Sequence, residues 1–160
     1  MKVAVVMGSD SDLPVIKKGI AVLKEFGVEF VVRVISAHRT PDVAHEFAKN
    51  AEIDGVEVIV AAAGKAAHLA GVLAAYTTLP VIGLPIKSST MDGLDSLLSV
   101  VQMPKGIPVA TVAIDGAENA AILAVQMLSL KYPELKGKLM QYKQKMAQDI
   151  AKKDSELVID

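Results

Sequence analysis

The chain has no cysteine and no tryptophan among its 160 residues. Without cysteine there is no disulfide framework, no thiolate nucleophile and no thiolate ligand for a metal, and the cytoplasm is the expected compartment. Aromatic residues make up only 4%, which weakens the case for stacking a flavin or a run of nucleobases. The net charge is −1, so the overall balance offers nothing to nucleic acid. No apolar run approaches the ~18 residues of a membrane-spanning helix. The apolar stretch after Lys2 meets a polar turn too early to be the hydrophobic region of a secretory leader. The three histidines and the scattered aspartates show no metal-ligand spacing. Neither a P-loop lysine motif nor a serine-centred nucleophile elbow is present.

What the chain does have is aliphatic bulk. Hydrophobic residues reach 52%, against the usual ~45–50%, and mean hydropathy is +0.41. The length suggests one domain over 1–160, able to bury a core without a metal or a disulfide. The apolar excess is read as strands covered on both faces plus apolar subunit interfaces.

Strand and helix patterns alternate five times. Apolar runs predict strands over 3–7, 28–35, 56–63, 80–85 and 109–114. Helices are expected from Asp12, an N-cap candidate, to Phe26 before Gly27, then after Thr40-Pro41, and over 66–76, 94–101 and 116–130. This order implies an α/β class with a parallel sheet. Right-handed crossovers leave few topologies, and the expected one is a three-layer, flavodoxin-like, five-stranded sheet of order 2-1-3-4-5. A last helix, 133–153, is extra to that core. It carries Leu135, Leu139, Tyr142, Met146 and Ile150 on one stripe, suited to its own sheet or to a neighbouring subunit.

In such a sheet all strand-to-helix loops emerge at one edge, where ligands bind. The first loop, Gly8-Ser9-Asp10-Ser11-Asp12, has the small polar residues of an anion cradle at a helix start. Its serines suit phosphate and Asp12 suits ribose hydroxyls. One of its two acids is expected to face sugar or solvent, because like charges repel. The same stretch is also compatible with a capped turn that binds nothing. In the second loop, Ser36-Ala37-His38-Arg39-Thr40, Arg39 can grip an oxyanion bidentately and His38 can carry protons near neutral pH. His68 lies on an apolar stretch, where a histidine more often serves the fold. His45 reads as a surface helix residue. The third strand ends in Ala61-Ala62-Ala63-Gly64-Lys65, without the aspartate of a phosphorylatable receiver domain. The first loop lacks the G-x-G-x-x-G of a dinucleotide fold.

Together the first and second loops, Ala66-Ala67-His68-Leu69, and the run from Leu94 to Pro104 closely resemble the N5-carboxyaminoimidazole ribonucleotide mutases of purine biosynthesis. The similarity covers nearly the whole chain up to the last helix. It implies a cofactor-free and metal-free isomerisation to 4-carboxy-5-aminoimidazole ribonucleotide, through loss and recapture of CO2. It further implies phosphate and ribose contacts from Ser9, Ser11 and Asp12, a proton carrier at His38, a phosphate ligand at Arg39, and imidazole contacts at Ala63 and Gly64. The full expected substrate-binding set is Gly8, Ser9, Asp10, Ser11, Asp12, Ser36, Arg39, Ala63, Gly64, Lys65, His68 and Leu69, with His38 catalytic. A homo-octamer with shared sites is implied as well, the last helix helping to pack it. The chain departs from the family where Ala62 and Lys65 replace glycines and Ala70 replaces proline. Lys65 is expected to point outward. The alternatives are a related carboxylase that takes free CO2 and a non-catalytic phosphosugar-binding protein.

Overall fold

A computed structural model describes residues 1–158. β1 (Lys2–Met7) lies between β2 (Glu29–Val34) and β3 (Val58–Gly64), and β4 (Val81–Ile86) and β5 (Ala110–Thr111) follow β3. Every pairing is parallel and the order is β2-β1-β3-β4-β5, as expected. Residues alternate across the sheet. Val3, Val5 and Met7 face one core with α1 (Leu13–Phe26), α5 (Ala117–Ser129) and the start of α6 (Pro133–Ser155). Ala4 and Val6 face the other, with α2 (Pro41–Asn50), α3 (Leu69–Ala74) and α4 (Leu94–Val101). Buried on both faces, β1, β3 and β4 read as continuous apolar runs.

Two elements are shorter than expected, and each has a local cause. β5 pairs over two residues, not six. Strand alternation puts Pro85 on the same side of β4 as Gly83, facing β5. Proline has no N–H to give there, so beyond Thr111 only single bonds remain, from Val112 N to Gly83 O at 3.1 Å and from Asp115 N to Pro85 O at 2.9 Å. α3 begins at Leu69, not Ala66. Two successive three-residue turns, Ala67 N to Lys65 O and His68 N to Ala66 O, both 2.8 Å, occupy the chain before it.

The expected caps also shift. Asp12 makes no side-chain cap bond to α1. Instead Ser9 caps a 3-10 turn over Asp10–Asp12 that runs straight into the helix. Gly27 ends α1 in the left-handed conformation, with φ +71°. Of the stripe on α6, Leu135 and Leu139 are buried and Tyr142 packs on Phe26 with ring centroids 5.6 Å apart, while Met146 and Ile150 are exposed.

Candidate active site

The strand-to-helix loops enclose a cleft of about 590 Å³ at the edge where the strands end. Its first wall is the turn after β1. Gly8 N donates to Ala62 O at 3.1 Å, which fastens the turn to β3. Ser9 Oγ accepts from Ser11 N at 3.3 Å and from Ser11 Oγ at 2.9 Å. Ser11 Oγ also lies 3.2 Å from Asp12 Oδ1. Ser9, Ser11 and Asp12 line the cleft. Asp10 is exposed and lies outside the lining, so Asp12 is the acid that meets the cleft. Burial, set against hydrogen bonds from Ser11 and Ser9 and reinforced by the charges of Asp10 and Asp115, raises the Asp12 carboxyl above the ordinary aspartate value.

The second wall is the loop after β2. Thr40 Oγ1 donates to Ser36 O at 2.9 Å and accepts from Ser36 N at 3.1 Å, so Thr40 clasps the loop and makes no side-chain cap bond to α2. Ser36 Oγ accepts from Arg39 N at 3.2 Å and from Arg39 Nε at 3.3 Å. Arg39 Nη2 reaches across to Gly8 O at 3.0 Å. The guanidinium is thereby aimed at the serine turn with no carboxylate partner among the described residues, free to meet an anion.

His68 is placed otherwise than an apolar stretch suggests. The turns over 65–68 hold it at the N-terminal end of α3, on the cleft wall. Its Nδ1 stands 2.9 Å from His38 Nε2, and the two rings meet edge to face with centroids 5.0 Å apart. A hydrogen bond between two imidazoles needs a proton on one facing nitrogen and a lone pair on the other. A helical count from sequence cannot show this contact, because it depends on the helix starting late. His45 stacks on Tyr76, with centroids 4.3 Å apart, away from the cleft lining.

Ala63, Gly64, Lys65 and Leu69 also line the cleft, and Lys65 is exposed. The fourth wall is Ile86, Lys87 and Ser88. Sequence reasoning brought that loop to this edge but assigned it no ligand contact. Lys87 Nζ pairs with Asp92 at 2.6 Å, which raises the Lys87 pKa, and its N–H donates to Asp115 at 2.9 Å. Ser88 Oγ donates to Asp95 at 3.0 Å, fixing the loop to α4.

Residues 2–149 match the family model described as AIR carboxylase. The chain belongs to the AIR carboxylase family. Among this family's curated members it is 63% identical to the N5-carboxyaminoimidazole ribonucleotide mutase of Pyrococcus abyssi, over 91% of this chain and 83% of that one. With the mutase of Thermotoga maritima it shares 55% identity, covering 98% and 91%. The crystal structure of PurE from Treponema denticola superposes with a TM-score of 0.90 at 32% identity, covering 99% of both chains. Family membership therefore agrees with the fold built above from strand order alone.

Proposed function

We propose that the chain is an N5-carboxyaminoimidazole ribonucleotide mutase, an isomerase of purine biosynthesis that forms 4-carboxy-5-aminoimidazole ribonucleotide. The observation that carries this beyond nucleotide binding is the His38–His68 pair. A module that only binds has no use for a proton carrier held in a fixed orientation. In this reading Ser9, Ser11 and Arg39 take the phosphate and Asp12 the ribose, while Ala63, Gly64 and Leu69 wall the imidazole.

The pair supports both proton steps with one nitrogen. With a neutral His68 accepting at Nδ1, His38 Nε2–H stays occupied, and His38 Nδ1 is left to face substrate. When His38 is an imidazolium, Nδ1–H protonates the N5 nitrogen as its carboxylate leaves as CO2. C4 of the ring then attacks the retained CO2, and the C4 proton returns to the now bare Nδ1. The balance is an N–C and a C–H bond broken, a C–C and an N–H bond formed, and no net proton. Retaining CO2 requires a small, dry space beside the ring, which Ala63 and Gly64 suit by their size.

An assay with purified enzyme, the N5-carboxylated nucleotide and a CO2 scavenger tests this reading. Product that persists under scavenging is expected. Product only from added CO2 and the uncarboxylated nucleotide would assign the carboxylase reaction instead, and no product would assign a binding protein. Such a phosphorylated intermediate is made and used in the cytoplasm, where we place the enzyme. We also propose a homo-octamer with sites shared between subunits. Leu94, Leu98 and Val101 on α4 and Met140, Met146 and Ile150 on α6 are exposed, and burying such surface between copies supports that reading. Sedimentation velocity of the purified chain checks it.

A further inference from the structure

Lys65 stands where the backbone suits glycine. Its φ is +56°, the left-handed region that Cβ disfavours and glycine adopts freely. Strain of this kind at a non-glycine residue points to function rather than to the fold. Lys65 is exposed and lines the cleft directly after Gly64, where β3 ends. The turns over 65–68 tie it to His68 and thus to the histidine pair.

The neighbouring cations are directed elsewhere. Lys87 is neutralised by Asp92 at 2.6 Å, and Arg39 is held toward Gly8 by Ser36. Among the described residues Lys65 has neither an ion pair nor a side-chain hydrogen bond. The substrate proposed above brings two anionic ends, a phosphate and a carboxylate, at opposite sides of the nucleotide. Arg39 and the serine turn serve one end. The histidine pair must sit at the other, and Lys65 is the cation on that side.

We propose that Lys65 is a carboxylate-binding residue, whose ammonium holds the group that migrates from N5 to C4 and makes the cleft prefer carboxylated nucleotide. This inference rests on the mutase reading. It is tested by calorimetric titration of the enzyme with 4-carboxy-5-aminoimidazole ribonucleotide and with the uncarboxylated 5-aminoimidazole ribonucleotide. Lys65→Gly suits the backbone and removes the amine, Lys65→Met removes the charge at similar length, and Lys65→Arg keeps it. Lys65→Gly and Lys65→Met are expected to weaken the carboxylated nucleotide about tenfold, as for a lost charge-assisted bond, with the uncarboxylated one little changed. Lys65→Arg is expected to retain the preference, and Lys65→Gly to melt no lower than the parent. Equal losses for both nucleotides, or none, would overturn the role of Lys65 alone. A parent enzyme that binds neither nucleotide would overturn the mutase reading and this inference with it.

Discussion

The two edges of the sheet are built to different rules. Where the strands begin, positive φ falls on glycine: Gly27, Gly55 and Gly106 sit in the turns that lead into β2, β3 and β5. Where the strands end, positive φ falls on Lys65, Met91, Asp92 and Asp115, with Gly93 the exception. The charges divide in the same way. At the first edge Glu57 accepts from Lys131 Nζ and from Tyr132 Oη, both at 2.8 Å. At the second, Lys87 pairs with Asp92 at 2.6 Å, but among the described residues Asp12 is buried without a cation partner and Arg39 and Lys65 have no acid partner. A left-handed non-glycine residue costs about 1–2 kcal/mol. Strain therefore collects on the side that carries the cleft, while the opposite side is relaxed and paired. The contrast locates function by energetics, independently of any relative.

The largest expected effect is at the histidine pair. His38→Asn should lower the rate of product formation under CO2 scavenging by ~10²–10⁴-fold, the usual range for a lost general acid–base. Nucleotide binding, read by calorimetry, should survive. A variant that turns over at near the parent rate would remove chemistry from the strained edge. Arg39→Ala comes next. Loss of a charge-assisted phosphate contact should raise KM by ~10–100-fold, with a smaller change in kcat.

Most of the fold was legible because apolar runs and helical stripes are local signals. So were the serine turn and His38-Arg39, where the residue types carry their chemistry and topology supplies the place. What escaped depended on partners distant in sequence. β5 stops because Pro85, 26 residues before Thr111, withholds an N–H. His68 reads as a core histidine until the turns over 65–68 swing it toward His38. Lys65 already stands out in the sequence, where the family pattern has glycine, but the reason that position suits glycine is its left-handed backbone, with φ +56°, which residue types do not show.

A third prediction probes the relaxed edge. A Cβ on Gly55 would meet nothing within 4 Å among the described residues, so Gly55→Ala isolates the backbone cost at φ +80°. It should destabilise by about 1–2 kcal/mol, a drop in Tm of about 2–8 °C for a chain of this size, with activity per folded molecule unchanged. A drop much smaller than this would mean that glycine is not needed at that edge, and the contrast between the edges would weaken.

The smallest effects make the sharpest contrast, because one chemical change should have opposite signs at the two edges. Burial alone would raise the Glu57 carboxyl. Hydrogen bonds from Lys131 and Tyr132, with the charges of Lys131 and the N-terminal ammonium, outweigh it and hold the group below the ordinary 4.5. A depressed folded value means that Glu57 contributes stability above pH 4.5, lost as pH falls through the folded value. Glu57→Gln should therefore lower stability at pH 7 by no more than about 1 kcal/mol, because Lys131 is exposed, a fall in Tm of about 2–4 °C, and the gap to the parent should close on acidification. Asp12 is the reverse case. Burial, with Asp10 and Asp115 nearby, raises its carboxyl above the ordinary 3.8. The folded state then favours the proton, so this contribution is present below pH 3.8 and lost as pH rises through the raised value. At pH 7 the ionised Asp12 works against the fold, and Asp12→Asn should raise Tm while weakening nucleotide binding. Thermal melts of both variants from pH 3 to 8 read the two signs directly. If Asp12→Asn melts below the parent at pH 7, Asp12 is a structural acid like Glu57, and the division of labour between the edges fails at the ribose site.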